Sequence, residues 1–273
     1  IIKFMKLLIL GSKGMLGNMA LKFFSKFYQV SVFDKKYSIK NRSEYLDELE
    51  SLEFDVLING IGKIKQKTNN LKKLIQCNSI LPMDLSNMKK QFLLIHPSTD
   101  CVFSGNQNDI YSKDDQHCAD DDYGITKSLG EKLIKKKSKT VIIRTSIIGT
   151  TKDNNGAGIL DWFLSQNDDA QINGYLNHMW NGITTLKWCE IVREIIEKKI
   201  DVPKNGILQL SSPEKINKYD LLEKFSEVFE KQLIINQYKT DQQVNRLIES
   251  DIELSKIHTQ LLELKKFISN NDS

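Results

Sequence analysis

Short uninterrupted apolar runs alternate with segments of helical period through the first half of the chain. KLLIL (6–10), QVSVF (29–33), DVLIN (55–59), QFLLI (91–95) and TVIIR (140–144) read as strands. Between them, MLGNMALKFFSKF (15–27), LKKLIQCNSILPMDLSNM (71–88) and YGITKSLGEKLIKKK (123–137) place apolar residues at helical spacing, the second with a kink expected near Pro82. Continuous apolar strands separated by helices predict a parallel sheet covered on both faces. Repeated right-handed βαβ units then predict a Rossmann-type, doubly wound α/β fold. After residue 150 the pattern weakens. A polar loop (TTKDNNGAG, 150–158) is followed by a short helix (159–166), a helix over 184–199, a strand over 206–211, a helix over 218–231 and a fraying tail, FISNNDS. This second half is expected to build a smaller C-terminal α/β lobe.

Composition narrows the class. The chain has 273 residues, 40% hydrophobic and 27% charged, enough for one large domain or a domain with a smaller one. No apolar run reaches about 18 residues, so no membrane span is expected. The apolar start is too short for a secretion signal, which predicts a cytoplasmic protein. The cysteines (77, 101, 118, 189) form no CxxC pair, so they are expected to be free thiols, with no metal site. The net charge is +4, but the only arginines are Arg42, Arg144, Arg193 and Arg246. The scattered lysine pairs read as solvated helix faces rather than a nucleic-acid surface.

Candidate chemistry begins at residues 11–17, GSKGMLG, between the first strand and the first helix. Gly11 permits a tight turn, Gly14 lets backbone approach a diphosphate, and Gly17 lets the helix pack closely on the strand. The helix start, with Met15 and Leu16, offers free N–H groups to phosphate. Dinucleotide binding over residues 1–149 follows, with helix 184–199 returning to this domain and 150–273 mainly forming the substrate lobe. Strand 2 ends in Asp34-Lys35-Lys36. The carboxylate suits a free ribose 2′-hydroxyl and the lysines suit a 2′-phosphate, which leaves NADH and NADPH both open.

Tyr123 and Lys127 stand four apart at a helix start and share a face. A cation about 4 Å from a phenol contributes roughly 4 kcal/mol at an effective dielectric of about 20, enough to bring its proton toward exchange near neutral pH. HPSTDCVFSG (96–105) follows the fourth strand and adds a hydroxyl, a carboxylate and a thiol at its end.

Together these motifs resemble the extended short-chain dehydrogenase/reductase family and, more narrowly, the dTDP-4-dehydrorhamnose reductase group. The matching stretches are LILGSKGMLG (8–17), VLINGIG (56–62), HPSTDCVFSG (96–105), YGITKSLGE (123–131), VIIRTSIIG (141–149), NGITTL (181–186) and ILQLSSPEKINKYDLL (207–222). The resemblance implies hydride transfer from NADPH or NADH to the C4 ketone of a nucleotide-activated 6-deoxy-4-hexulose, with a homodimer as a family-level expectation. It implies that Thr99 hydrogen-bonds the carbonyl oxygen, that Tyr123 delivers the proton, and that Lys127 holds the nicotinamide ribose and lowers the tyrosine pKa. Asp100 then orients the loop or contacts sugar, and Asn78 holds a relay water or serves packing. Gly60 joins Gly11, Gly14, Met15, Leu16, Gly17, Asp34 and Lys35 as a cofactor contact.

The chain departs from that group in two places. Cys101 stands where the dTDP-rhamnose enzymes usually have tyrosine, and Ile147 where they usually have tryptophan. A UDP-linked 2-acetamido-2,6-dideoxy-4-hexulose is therefore an open alternative to dTDP-4-dehydrorhamnose. Cys101 also sits where enzymes resembling GDP-fucose synthase carry an epimerising base. That reading needs a partner acid, for which His178 is the candidate; the alternative is a small residue packed under a loop. Trp180 offers base stacking or core packing, Arg246 a bidentate grip on a diphosphate, and Arg144 structural pairing. The rival from another class is a non-catalytic binder resembling the regulatory subunit of methionine adenosyltransferase.

Overall fold

The computed structural model describes residues 5–68, 70–134, 139–151 and 158–271. The end of the helix expected over 123–137, most of the 150–158 loop and the last two residues lie outside them. The first half runs β1 (Lys6–Leu10), α1 (Met15–Phe24), β2 (Gln29–Phe33), α2 (Arg42–Ser51), β3 (Val56–Asn59), α3 (Leu71–Ile75), a π-helical turn (Gln76–Ile80), α4 (Leu81–Asn87), β4 (Leu93–Ser98), α5 (Asp122–Leu133) and β5 (Thr140–Arg144). The second half runs β6 (Ile147–Ile148), α6 (Ile159–Leu164), β7 (Gln171–Tyr175), β8 (His178–Trp180), β9 (Ile183–Thr184), α7 (Thr185–Ile196), β10 (Ile207–Gln209), β11 (Ile216–Asn217), α8 (Lys218–Phe229), β12 (Ile234–Tyr238), β13 (Val244–Asn245) and α9 (Ile257–Ser269).

Six strands form the central sheet in the order β2-β1-β3-β4-β5-β10, every pairing parallel. Leu7 to Leu10 and Val56 to Ile58 are buried along their whole length, as strands covered on two faces must be. One face packs against α1, α7 and α9, the other against α2 and α4. The expected doubly wound α/β fold is the observed one. Strand order reverses between β1 and β3, and a ligand crevice opens at the carboxyl ends of strands at such a switch point.

The strand at 206–211, read as part of the smaller lobe, instead closes the large sheet. Ile207, Leu208 and Gln209 pair parallel with Ile142, Ile143 and Arg144, which keeps the carbonyl and amide edge of β5 covered. α7 packs on α1. The remaining C-terminal elements form small sheets, β11-β8-β13, β12-β7 and β6-β9, with α8 against β7 and β12.

The helical stretch over 71–88 is irregular, though not at Pro82 itself. The distortion is the π-helical turn one turn earlier, and Pro82 opens α4 just after it. A proline has no N–H for the carbonyl four residues before it, and its ring crowds that carbonyl, here that of Asn78.

Arg144, the last residue of β5, is 1% exposed. Its Nη2 donates to Glu131 Oε2 at 2.8 Å and its Nη1 to Gln209 Oε1 at 3.0 Å, while His117 Nε2 lies 2.9 Å from Nη2. Ser98 also donates to Glu131. Burial pushes the Glu131 carboxyl up, but these hydrogen bonds outweigh it and hold it below its ordinary value. The pairing expected for Arg144 is thus the structural one. Arg144→Met strands a buried carboxylate, so urea unfolding should show a loss of about 3–5 kcal/mol, and adding Glu131→Leu should recover most of it.

Candidate active site

Gly11 follows β1 with a φ of 72°, the left-handed region that suits glycine. A Cβ at Gly17 would lie 2.1 Å from the Gly11 carbonyl oxygen, and one at Gly60 would lie 2.5 Å from that of Leu10. These absences of side chain let the start of α1 and the end of β3 close on each other. Gly14 caps α1, and Gly14, Met15 and Leu16 face a cleft of about 430 Å³ shared with Gly60, Ile61 and Lys63. No acidic residue stands in the first turn of α1, so its positive end is free for phosphate. At the end of β2, Asp34 accepts from Ser12 Oγ at 2.9 Å. Lys35 is turned to Glu44 and Glu48, 2.8 and 2.5 Å away. The cradle fits a dinucleotide diphosphate.

Thr99, Tyr123 and Lys127 line the same cleft. Thr99 follows β4 and caps a tight turn over Asp100–Val102: its Oγ1 accepts from the Cys101 N–H at 3.1 Å and donates to Asp100 Oδ1 at 3.0 Å. Tyr123 lies in the first turn of α5, which Asp121 caps by accepting from the Gly124 N–H at 2.7 Å. Lys127 is 6% exposed and donates to the Pro97 carbonyl at 2.6 Å. Burial lowers the Lys127 ammonium to about 8, against the upward pull of Glu131. The Tyr123 phenol is not drawn down as the sequence suggested. Burial, then Cys101, push it above its ordinary value, and a hydrogen bond with Thr99 pulls only partly back. Such a phenol keeps its proton through the neutral range and is fitted to donate it.

Asn78 lies in the π-helical turn, and both hydrogens of its amide are taken, leaving one acceptor position on Oδ1. Oδ1 accepts from the Lys63 N–H at 2.9 Å, while Nδ2 donates to the Lys63 carbonyl at 2.9 Å and to Thr126 Oγ1 at 3.1 Å. It fastens the loop after β3 to α5.

Asp100, Cys101 and Arg246 line the cleft as well. Arg246 Nη1 donates to Cys101 Sγ at 3.5 Å. Burial, with Asp100 beside it, pushes the thiol up to about 12 despite Arg246. His178 does not line the cleft: Nε2 lies 2.8 Å from Thr240 Oγ1 and the ring is 4.7 Å from that of Tyr175. Trp180 is 3% exposed, donates to Ser146 Oγ at 2.8 Å and belongs to the main core, so it offers no open face to a base.

A family model described as the RmlD substrate binding domain matches residues 5–268. The chain belongs to this family. The resemblance read from the motifs is thereby borne out. No curated protein matches the chain in sequence. Among solved structures, the chain is similar to a dTDP-4-dehydrorhamnose reductase from Bacillus anthracis in complex with NADP, with a TM-score of 0.82 at 15% identity over 98% of this chain and 99% of that one. A dTDP-4-dehydrorhamnose reductase ortholog from Clostridium acetobutylicum gives a TM-score of 0.79 at 18% identity over 97% and 100%. A UDP-glucose 4-epimerase from Thermotoga maritima, with UDP-glucose, gives 0.76 at 14% identity over 98% and 100%. These likenesses establish the shared fold.

Within the RmlD-family frame, the sequence did not single out Gly124 or Gly130. A Cβ at Gly124 would lie 2.0 Å from the Cys101 carbonyl oxygen, and one at Gly130 would lie 2.1 Å from that of Asn78. A glycine inside a helical pattern was the available signal. For the cofactor cradle, Gly17→Ala should weaken NADH and NADPH binding by at least about tenfold in a fluorescence titration, with the circular dichroism spectrum retained.

Proposed function

We propose that this chain is an NAD(P)H-dependent reductase of a nucleotide-activated 4-ketosugar. The observation that carries the reading is the convergence of Thr99, Tyr123 and Lys127 in one cleft with the glycine cradle. The cofactor, when bound, supplies the hydride for the ketone carbon. Gly11, Gly14 and Gly17 would admit its diphosphate, Asp34 would take the adenosine ribose, and Lys127 would hold the nicotinamide ribose. Thr99 fixes the carbonyl oxygen by a hydrogen bond. Tyr123 gives its proton to that oxygen as negative charge develops there, so the ketone gains one hydride and one proton and becomes an alcohol. The phenol is protonated through the neutral range, as a donor must be, although its raised pKa makes it the weaker acid.

The nearest chemistry by family and fold is reduction of dTDP-4-dehydrorhamnose; a UDP-linked 2-acetamido sugar is the second candidate, motivated by Cys101 and Ile147. Epimerisation fits less well. A thiol pushed up to about 12 is a poor base, and His178 is turned to Thr240 rather than to the cleft. A regulatory-subunit role resembling that of methionine adenosyltransferase leaves the Thr99–Tyr123–Lys127 convergence without a purpose.

The test is cofactor oxidation with a panel of dTDP- and UDP-linked 4-keto-6-deoxy sugars, with and without the 2-acetamido group, in D₂O. Turnover of one member is expected, with no deuterium at C3 or C5 of the product; cofactor binding without any turnover would favour the regulatory role. Tyr123→Phe should lower kcat about 10²- to 10⁴-fold with the cofactor Kd unchanged. Cys101→Ser should leave reduction within about threefold of wild type, and a deuterated product lost in that variant would overturn the reductase-only reading.

A further inference from the structure

The residues after β2 leave the choice between NADH and NADPH to their surroundings. Asp34 stands where a doubly wound fold meets the adenosine ribose. Its Oδ1 accepts from Ser12 Oγ at 2.9 Å, which turns the carboxylate to the glycine loop. A carboxylate has further lone pairs, so Asp34 keeps acceptor capacity for a ribose hydroxyl. Lys35, next in the chain, is the cation that a 2′-phosphate would need. Its Nζ donates instead to Glu44 Oε1 at 2.8 Å and to Glu48 Oε1 at 2.5 Å. These two glutamates stand four apart on α2 and share a face. α2 is itself held in place. Its first residue, Arg42, donates from Nε to Asp84 Oδ2 at 2.8 Å and from Nη2 to Asp84 Oδ1, and Asp84 is buried on α4. The Tyr37 hydroxyl donates to the same carboxylate at 2.6 Å. The arginine of this stretch is thereby committed as well.

We infer that Glu44 and Glu48 make the chain select NADH over NADPH by holding Lys35 off the cofactor's 2′ position. The inference rests on the reading of the chain as an NAD(P)H-dependent reductase, whichever ketone it reduces. NADPH differs from NADH by one phosphate, which carries a charge of about −2 at neutral pH. That group would face Asp34, and it gains Lys35 only if the ammonium leaves both glutamates. An exposed ion pair is weak enough to be broken. Breaking this one uncovers two carboxylates on the face of α2 that Lys35 now covers. Attraction to Lys35 is then offset by repulsion from Glu44 and Glu48. Lys13 does not supply the missing charge: its ammonium already lies 3.8 Å from Asp34 Oδ2, and its side chain is 87% exposed, so it is hydrated and screened. A free 2′-hydroxyl meets none of this opposition and donates to Asp34.

The experiment is fluorescence titration of the full chain with NADH and NADPH. Wild type should bind NADH at least about tenfold more tightly. Glu44→Gln with Glu48→Gln keeps the side-chain shape and removes the charge; NADPH affinity should rise about three- to tenfold, with NADH affinity within about twofold of wild type. Adding Lys35→Met to that pair should remove most of the gain, which assigns it to the released lysine. Equal affinities in wild type, as when Lys13 or Lys36 serves the phosphate, overturn the inference. So does an unchanged NADPH affinity in the paired variant, or a gain that persists in full without Lys35. NADH selection that depends on Glu44 and Glu48, in a protein that reduces no ketosugar, upholds the inference and overturns the reductase reading. Binding of neither cofactor overturns both.

Discussion

The cleft depends on how closely α5 lies against its neighbours. Two glycines set that distance: Gly124 faces the Cys101 carbonyl and Gly130 the Asn78 carbonyl, each so near that a methyl group would collide. Pro82, by denying the Asn78 carbonyl its helical donor, creates the π-helical turn that presents this carbonyl to Gly130. Ser79 then donates to the Thr126 carbonyl at 2.7 Å, and the Asn78 amide joins Thr126 to Lys63. Tyr123 and Lys127 flank Thr126 on α5. Their placement over β4 therefore follows from backbone-to-backbone contact, which tolerates little displacement, rather than from flexible side-chain packing.

Charge in the cleft follows the same geometry. Lys127 lies almost fully buried beneath the site and keeps one carbonyl partner, Pro97. The nearby carboxylate, Glu131, is taken by Arg144 at 2.8 Å. The Arg144–Glu131 pair thus leaves Lys127 with a weakened claim to its proton, while burial and the nearby Cys101 and Asp100 keep the Tyr123 phenol neutral. Lysine and tyrosine at one helix spacing had suggested direct electrostatic coupling, but the ammonium points to a backbone oxygen.

The sheet, its helices and the glycine cradle were legible because each is written in local pattern: apolar runs of strand length, helical period, and glycines at a strand-to-helix turn. Thr99, Tyr123 and Lys127 were legible as motif residues, and the structure brings them to one cleft. What local pattern missed depends on long-range contact. Trp180 looked available because it stands beside a polar loop, yet Ser146 and the core claim it. His178 looked available for the same reason, yet β8 aims it at Thr240. Asn78 was visible as a polar residue in a helix, but its two bonds to Lys63 bridge a gap of 15 residues. The short strand over 207–209 could join either lobe by its sequence; only its pairing with β5 decides.

Burial lowers both Lys127, which lines the cleft, and Lys218, at the start of α8, to about 8. Each charge is thus held at a cost in the empty protein. An arginine with a buried, unpartnered Nε adds to that cost. A stable fold tolerates such groups where a ligand later supplies the missing acceptors. Anionic ligands that bind only the folded chain also stabilise it by mass action. A ligand that supplied acceptors to these groups would therefore couple its recognition to the stability of the fold.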